Sequence, residues 1–290
     1  MYDYTIGYNG NYLKLTGTEK QWQLLSVSGL NPSKATLSES DVVGSPGVKI
    51  VGSKIDKRAI VFTIRVNHPC ELNRSKLLEF LTPGNEISIN IKTRLKEATI
   101  NGVVETNEYE IYTNNQTMQV SVLCEYPYFK LKSSERITYS VESVGGFQFP
   151  LNVAYDKTVT FDDLNILDKL YIYNYGQITT GLELELEFYD TVINPKIYNV
   201  DNPNEFFGLR GTYVPGDVIK INTNALAKDK VTLISGGTST KALKKLMRDS
   251  TWLKVRGILV LGVSAIDNEG AEIKGKAYLT VKNHDELKGI

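Results

Sequence analysis

The feature that most constrains this chain is strict alternation of apolar and polar residues over short segments. Apolar side chains occupy every second position from Leu182 to Phe188, with glutamates between them. The segment from Ile87 to Lys92 has the same period, with isoleucines separated by Ser and Asn. Successive side chains of a strand point to opposite faces of a sheet, so both segments are predicted to be half-buried strands.

Composition extends this prediction to the whole chain. The 290 residues include 17 tyrosines and many β-branched residues, with Gly, Asn and Asp at short intervals. Such a pattern favours antiparallel sandwiches over parallel sheets with helical crossovers. Residues 257–281 are predicted to form a hairpin with Asp267-Asn268-Glu269-Gly270 as its turn. The predicted fold class is therefore mainly β, with two antiparallel β-sandwich domains.

One short helix is predicted in the first half, at about residues 73–82. Asn73 would cap its free backbone N–H groups, Leu72 would pack on Leu77, and Pro83-Gly84 would end it. The leucines of this segment share one face, which is expected to pack on a sheet.

A second helix is predicted from Ser239 to Asp249, where Leu243, Leu246 and Met247 recur at helical spacing. Its lysines would lie on the solvated face: Lys241, Lys244 and Lys245. The preceding Gly236-Gly237 lacks the Lys-Ser or Lys-Thr of a phosphate-binding loop, so it is predicted to be an ordinary loop.

The chain length suggests two domains. Pro127 cannot continue a central ladder, and a polar stretch follows from Lys130 to Arg136. We therefore predict a first domain over residues 1–134 and a second over 135–290.

The segment from Asn31 to Lys57 is rich in Ser, Gly and Pro, and it has little regular patterning around residues 38–46. Long loops of this kind are usually functional or mobile. A long excursion is more easily held by a neighbouring subunit than by its own sandwich, which predicts an oligomer interface here. The candidate interface residues are Ser38, Asp41, Val42, Val43, Gly44 and Pro46.

The charge balance and the hydropathy limit the classes of partner expected for this chain. Thirty-three basic residues balance 33 acidic ones, so no net field attracts nucleic acid or an anionic membrane. The opening residues have no basic patch before an apolar run, and the apolar stretch from Ile258 to Val263 is too short to span a bilayer. The partner is expected to be protein or sugar, and the chain is expected to be made and kept in the cytoplasm.

Cysteine and histidine, which often serve as nucleophiles, bases or metal ligands in enzymes, are scarce in this chain. Cys70 and Cys124 are too few for a disulfide framework and are expected to be reduced structural thiols. His68 and His284 lie in different halves, so no Ser-His-Asp, Cys-His or metal-binding cluster is visible. We predict no catalytic residue, no cofactor site and no metal site, and hence no enzyme.

Glycosidases use a pair of carboxylates, and two sets of acidic residues in this chain are candidates for one. Asp162-Asp163 is expected to lie in a turn. Glu183, Glu185 and Glu187 are expected to form the solvated face of a strand whose other face is apolar.

Aromatic residues of the second half suggest a binding function. Tyr171, Tyr173 and Tyr175 share one side of a predicted strand, and Trp252 lies elsewhere in the same domain. Aromatic rings stack on hexose faces, so these residues are candidates for contact with a glycan. The alternative is that they pack internally or contact a protein partner, since aromatics are common in both settings.

Several motifs occur in a recognisable order along the chain: Gly44-Ser45-Pro46-Gly47, Arg58-Ala59-Ile60-Val61-Phe62, the first helix with Pro83-Gly84, Cys124-Glu125-Tyr126-Pro127-Tyr128-Phe129, Asn174-Tyr175-Gly176, Asn194-Pro195-Lys196-Ile197, Gly216-Asp217-Val218-Ile219 and Asp249-Ser250-Thr251-Trp252-Leu253. In this order they resemble the distal tail protein family of long-tailed phages. The resemblance covers nearly the whole chain.

The resemblance implies a structural role at the virion tail tip. The tail would be assembled in the host cytoplasm. Members form a six-fold ring from their N-terminal domains, which joins the tail tube protein to a tail-tip or tail-associated protein. Their C-terminal β-sandwich is galectin-like, similar to carbohydrate modules. The alternative function is a carbohydrate-binding adhesion module that contacts host cell-wall glycan.

The chain departs from the family in two places. Arg256-Gly257-Ile258 stands where the family tends to have a Pro-Gly-Asn turn. The C-terminal half is also too short for the arm-like insertion with which some relatives hold receptor-binding proteins, so a plain connecting hub is expected.

Overall fold

The computed structural model describes residues 2–18, 20–41, 44, 46–110, 112, 116–132, 135–144, 163–167, 169–266, 272–274 and 276–290. Over these residues the chain is mainly β with one α-helix, and its sheets are antiparallel, which confirms the predicted fold class. It divides into two compact units, Met1–Ser133 with Glu286–Ile290, and Ser134–Asp285. No helix in the described part of the chain is long and apolar enough to cross a membrane.

The strands up to the first crossing between units are β1 (Asp3–Tyr8), β2 (Asn11–Lys14), β3 (Trp22–Ser28), β4 (Ala35–Asp41), β5 (Val48–Ile55), β6 (Arg58–Val66), β7 (Glu86–Lys92), β8 (Glu97–Tyr109), β9 (Thr117–Cys124) and β10 (Phe129–Leu131). The helix α1 (Cys70–Leu81) lies between β6 and β7.

The strands of the second unit are β11 (Arg136–Tyr139), β12 (Val141–Val144), β13 (Asp163–Ile166), β14 (Leu170–Asn174), β15 (Thr180–Gly181), β16 (Glu183–Phe188), β17 (Val192–Asn199), β18 (Phe206–Gly208), β19 (Thr212–Tyr213), β20 (Val218–Asn222), β21 (Val231–Ser235), β22 (Thr238–Lys241), β23 (Lys254–Val255), β24 (Gly257–Ile266), β25 (Glu272–Lys274) and β26 (Ala277–Asn283). The last strand, β27 (Glu286–Leu287), returns to the first unit.

The first unit is built on one sheet of nine strands. Its order is β2-β1-β7-β8-β9-β6-β3, with β10 beside β8 and β27 beside β10. In a flat sheet β1 and β6 would lie about 19 Å apart. The rings of Tyr4 on β1 and Phe62 on β6 are nevertheless 6.1 Å apart between centroids. The sheet therefore folds over itself, and its two layers enclose the core.

The last five residues complete this unit. Leu287 is buried in the core and pairs with Phe129, and Lys130 pairs with Glu286. The predicted division assigns residues 286–290 to the second domain, whereas they pack with the first unit.

The helix begins earlier than predicted, because the N–H group of Asn73 bonds to the carbonyl of Pro69 and so closes the first turn there. Asn73 is buried inside the helix, and its Nδ2 donates to the carbonyl of Asn67 at 2.9 Å. Leu72 is exposed. The predicted cap and the predicted packing of Leu72 are therefore wrong. The buried apolar side chains of the helix are Leu77, Phe80 and Leu81.

The second unit is a sandwich of two main sheets. One has the order β11-β26-β16-β20-β21-β22, and the other has β14-β24-β17-β18 with β19 beside β17 and β25 beside β24. Leu184 and Leu186 of the first sheet share a core with Ile172 and Leu261 of the second. Strand β24 pairs with β25 as expected of a hairpin, but β26 crosses to the other sheet. The predicted turn 267–270 lies outside the described residues.

The second predicted helix is wrong. Residues 238–241 form β22, and only Leu243–Lys245 make a single 3-10 turn. Gly236 and Gly237 both have positive φ, 55° and 77°, and form a two-residue hairpin turn between β21 and β22. Leu243 is exposed instead of buried. The Gly-Gly turn thus overrides the helical spacing.

Candidate functional site

The segment predicted as an irregular loop is a β-hairpin. Strands β4 and β5 pair only with each other, in a two-stranded sheet of their own within the described residues. Of the predicted interface residues, Ser38 and Asp41 are exposed on β4, and Gly44 and Pro46 are exposed at its tip. Val42 and Val43 lie outside the described residues.

The hairpin exposes apolar side chains. A bulge at Val51 breaks the register, since Ser38 pairs with Gly52 and Glu39 with Ile50. Five large apolar residues are between 41% and 61% exposed: Leu37, Val48, Ile50, Val51 and Ile55. A two-stranded hairpin is marginally stable alone in water, and clustered apolar groups of this kind mark interaction surfaces. The hairpin is therefore a candidate docking element.

The base of the hairpin is fixed by a buried cation. Arg58 is 3% exposed, and its guanidinium donates to the carbonyls of Pro127 at 2.7 Å, Asn31 at 2.6 Å and Lys288 at 2.6 Å. It also donates to the carbonyl of Gly29. Burial lowers its pKa, but an arginine stays charged over the physiological range. The chain entering the hairpin is thus tied to the C-terminal segment.

Three tyrosines form a row on β14 and just beyond it, which we call the tyrosine row: Tyr171, Tyr173 and Tyr175. They are 50%, 38% and 72% exposed, while the alternate residues Leu170, Ile172 and Asn174 are buried. The structure therefore places all three on one side, as the alternation predicts. Ile258, directly opposite Tyr173 on β24, is also exposed and widens the apolar surface.

The tyrosine row is held rigidly. The rings of Tyr173 and Tyr175 stack at 6.0 Å and 17°, and the Arg136 guanidinium lies 5.0 Å from the Tyr175 ring. Arg136 binds Asp285 through two hydrogen bonds of 2.7 and 3.0 Å, which raise the pKa of Arg136. Asp285 also accepts the N–H of Tyr175 at 3.1 Å. The rings are therefore positioned before any partner binds.

Trp252 is not part of this row. Its ring packs on Phe207 of β18 at 5.4 Å, and the Nζ of Lys230 lies 5.7 Å from the ring. Strands β14 and β18 are at opposite ends of their sheet. The structure therefore separates Trp252 from the three tyrosines with which it was grouped.

A groove of about 460 Å³ lies over the polar face of the sheet that contains β16 and β20, a feature that the sequence did not reveal. Glu183 and Glu185 line it, while Leu184 and Leu186 point to the core, as predicted for this strand. Lys220 pairs with Glu185 at 3.1 Å across neighbouring strands. The groove thus offers charges of both signs, along with hydroxyl and amide groups.

The described His, Cys, Asp and Glu side chains give no evidence of a metal site or of an activated thiol. Within the described ranges, no three His, Cys, Asp or Glu side chains converge as metal ligands. Both cysteines are free thiols, as predicted. Burial raises the pKa of Cys124 to about 11, which makes it a poor nucleophile.

The fold defines a class of protein: antiparallel β chains of two compact units. No family model and no curated protein matches the sequence. Solved structures do match. The Dit protein of phage SPP1, described as a paradigm of the hub adsorption apparatus in phages that infect Gram-positive bacteria, is similar with a TM-score of 0.65 and 11% identity over 98% of both chains.

A chain of the phage P2 baseplate, in its activated conformation with calcium, is also similar. Its TM-score is 0.50, with 13% identity over 98% of both chains. At these identities the comparisons show the fold alone. Because each match covers 98% of this chain, the similarity extends over both of its units.

Proposed function

We propose that this chain is a non-enzymatic structural hub of a phage or phage-derived tail tip. In this role six copies form a ring that joins the tail tube protein to the tail-tip protein, and the second unit is a galectin-like domain. The observation that carries the proposal is the similarity to the SPP1 hub protein over 98% of both chains. The motif order in the sequence supports the same role independently of the fold.

The hairpin β4–β5 supplies a physical reason for self-association. Its apolar side chains are exposed on a two-stranded sheet that needs a partner to be stable. A protruding element that docks on a different surface of the next copy makes a heterologous contact, and such contacts close into rings when the rotation fits. The interface residues of this proposal are those of the hairpin from Ser38 to Pro46 with the apolar residues of β5.

Light scattering and electron microscopy of the purified chain test the ring. The expected result is a ring with six times the 32.4 kDa mass of one chain. A chain that is monomeric at high concentration, with and without the tail tube protein, would refute the proposal.

Variants of the hairpin test the interface. Deleting residues 38–46, or replacing Ile50 and Val51 by serine, is expected to weaken the ring while the rest of the first unit keeps its cooperative thermal unfolding. Val214→Ser removes a similarly exposed apolar side chain from the second unit and should leave the ring intact. Intact rings from both hairpin variants would rule out this interface.

A second candidate is contact with host cell-wall glycan during attachment, through the tyrosine row. The rigid exposure of these rings on the second unit favours it. However, the stacking of Tyr173 with Tyr175 and the contact of Arg136 with Tyr175 occupy part of the ring surface of this pair. Titration of the full chain with host wall polysaccharide tests this candidate, with Tyr171→Ala expected to weaken binding and Tyr112→Ala, an exposed tyrosine of the first unit, expected not to. Absence of binding by the parent chain would remove it.

A further inference from the structure

One end of the first unit carries a cluster of exposed cations around an exposed leucine. The turn between β7 and β8 presents Leu95, 89% exposed, between Arg94 and Lys96. Thr93 fixes this turn, since its hydroxyl accepts the N–H of Lys96 at 2.9 Å and its own N–H donates to the Lys96 carbonyl at 2.7 Å. The leucine is therefore held outward.

Two further lysines belong to this end of the sheet. Lys92 ends β7, and Lys132 binds Glu97 at the start of β8 at 3.0 Å. We call the set the cationic end: Lys92, Arg94, Lys96 and Lys132. The nearby carboxylates are Glu97 and Asp3, the residue opposite Lys92 on β1, so the cations outnumber the anions by two.

The opposite end of strand β8 is acidic. Three exposed glutamates lie in or just after the last five residues of β8, and a fourth begins the neighbouring strand β7. We call this set the anionic end: Glu86, Glu105, Glu108 and Glu110.

The pairing of β8 with β9 shows where these carboxylates point. Glu105 lies at a bulge and accepts a hydrogen bond from Ser121, and Glu108 is opposite the exposed Gln119. Glu105 and Glu108 therefore lie on the outward face of the sheet.

The cations near the anionic end do not neutralise it. The guanidinium of Arg74 lies 5.0 Å from the centre of the Tyr109 ring. Arg65 lies near the end of β6, opposite Thr117 at the start of β9. The four carboxylates of the anionic end therefore outnumber these two arginines. Tyr109 is about half exposed and offers an apolar surface at this end.

We propose that copies of this chain contact one another head to tail, with the cationic end of one first unit against the anionic end of the next. The two ends have opposite excess charge, and each has an exposed apolar residue, Leu95 or Tyr109. From Glu97 to Glu108 the strand spans roughly 35 Å, so one copy cannot satisfy both ends itself. This contact rests on the proposed self-association and adds to that of the hairpin.

The charge pattern also determines the symmetry of the contact. A two-fold contact through either end alone would place like charges together, which disfavours it. A head-to-tail contact pairs opposite charges and is heterologous, as ring closure requires. The overall balance of 33 basic and 33 acidic residues therefore hides two local excesses of opposite sign.

Charge reversal tests the contact. Arg94→Glu with Lys96→Glu makes both ends acidic, and Glu108→Lys with Glu110→Lys makes both ends basic. Each double variant alone is expected to raise the dissociation constant of self-association by at least about tenfold in analytical ultracentrifugation. An equal mixture of the two should recover assembly, because each reversed end then meets a complementary one and an even-numbered ring can alternate them.

The control carries the same charge change in the second unit, as Lys254→Glu with Arg256→Glu, and should assemble like the parent chain. The contact should also weaken as salt is raised from about 0.05 to 0.5 M, because salt screens exposed charges. Parent rings that survive both reversals, or a mixture that stays monomeric while the parent assembles, would overturn this contact and leave the hub proposal standing. A parent chain and a mixture that are both monomeric would instead overturn self-association as a whole.

Discussion

The guanidinium of Arg58 donates a 2.6 Å hydrogen bond to the carbonyl of Lys288, a residue 230 positions later in the sequence. The same side chain reaches the carbonyls of Gly29 and Asn31, which precede the hairpin, and that of Pro127, which follows β9. Arginine suits this position because its planar fork carries five donors and no acceptor. One buried side chain therefore joins the start of the hairpin to the C-terminal segment of the first unit.

Arg58→Met is expected to lower the free energy of unfolding of the first unit by about 3 kcal/mol, because buried carbonyls lose their donors. Urea unfolding, followed by hydrogen exchange to resolve the two units, measures the change. Lys57→Met removes an exposed cation from the adjacent position and should change stability by no more than about 0.5 kcal/mol. Equal stability of the two variants would show that the carbonyls find water or other donors.

The strands with one buried face were predictable because burial imposes a period of two. Leu184 and Leu186 are buried and Glu183 and Glu185 line a groove, as their alternation indicated. The hairpin β4–β5 was not predictable on the same grounds. Nearly all of its residues are exposed on both faces, so nothing selects alternation, and the segment resembles an irregular loop until its pairing is seen.

The long-range features of the candidate sites also lay beyond the sequence. The tyrosine row follows from alternation within one strand. The partners of Arg58 and Arg136, in contrast, are 230 and 149 positions away, and no local pattern specifies such pairs. The second predicted helix failed because a Gly-Gly turn committed residues 238–241 to a strand pairing, which outweighs the helical spacing of three apolar residues.

Glu286 gives a prediction about pH. Its carboxylate is buried and accepts the hydroxyl of Tyr126, and burial raises its pKa above the ordinary value of 4.5 despite that hydrogen bond. The folded first unit therefore favours the protonated form. The stability that this preference provides is complete below the unfolded pKa and is lost as the pH rises through the folded pKa.

Glu286→Gln, a neutral side chain of the same shape, should consequently raise the melting temperature of the first unit more at pH 7 than at pH 4. Thermal unfolding at the two pH values measures the difference. Glu125→Gln, at an exposed position of the same unit, should show no such pH dependence. A larger gain at pH 4 than at pH 7 would contradict the proposed cause.

The two cysteines should differ in reactivity. Cys124 is fully buried and its pKa is raised to about 11, chiefly by loss of hydration, so roughly 0.1% is thiolate at pH 8. Cys70 is only partly buried at the start of α1. Brief alkylation at pH 8 should therefore modify Cys70 first, and mass spectrometry should find Cys124 modified only after unfolding. Equal labelling of both thiols in the folded chain would show that the core opens readily.

Asn174 is expected to hold the tyrosine row in place. Its buried Nδ2 lies within 3.0 Å of the carbonyls of Ile178 and Val255 and the hydroxyl of Thr180, and its Oδ1 accepts the N–H of Gly176 at 2.8 Å. Asn174→Ala leaves these groups unpaired and should cost the second unit about 2 kcal/mol.

The same substitution should speed hydrogen exchange over residues 174–180, since the turn that carries Tyr175 loses its internal support. Asn204→Ala, at an exposed position in the same unit, serves as the matched control and should leave both stability and exchange unchanged. If Asn174→Ala destabilised the unit without faster exchange in this turn, the rigidity of Tyr175 would have to come from Arg136 and Asp285 alone. Because those two residues bind the ring and the N–H of Tyr175 directly, combining Asn174→Ala with Asp285→Ala would then release the tyrosine, which exchange at residue 175 would report.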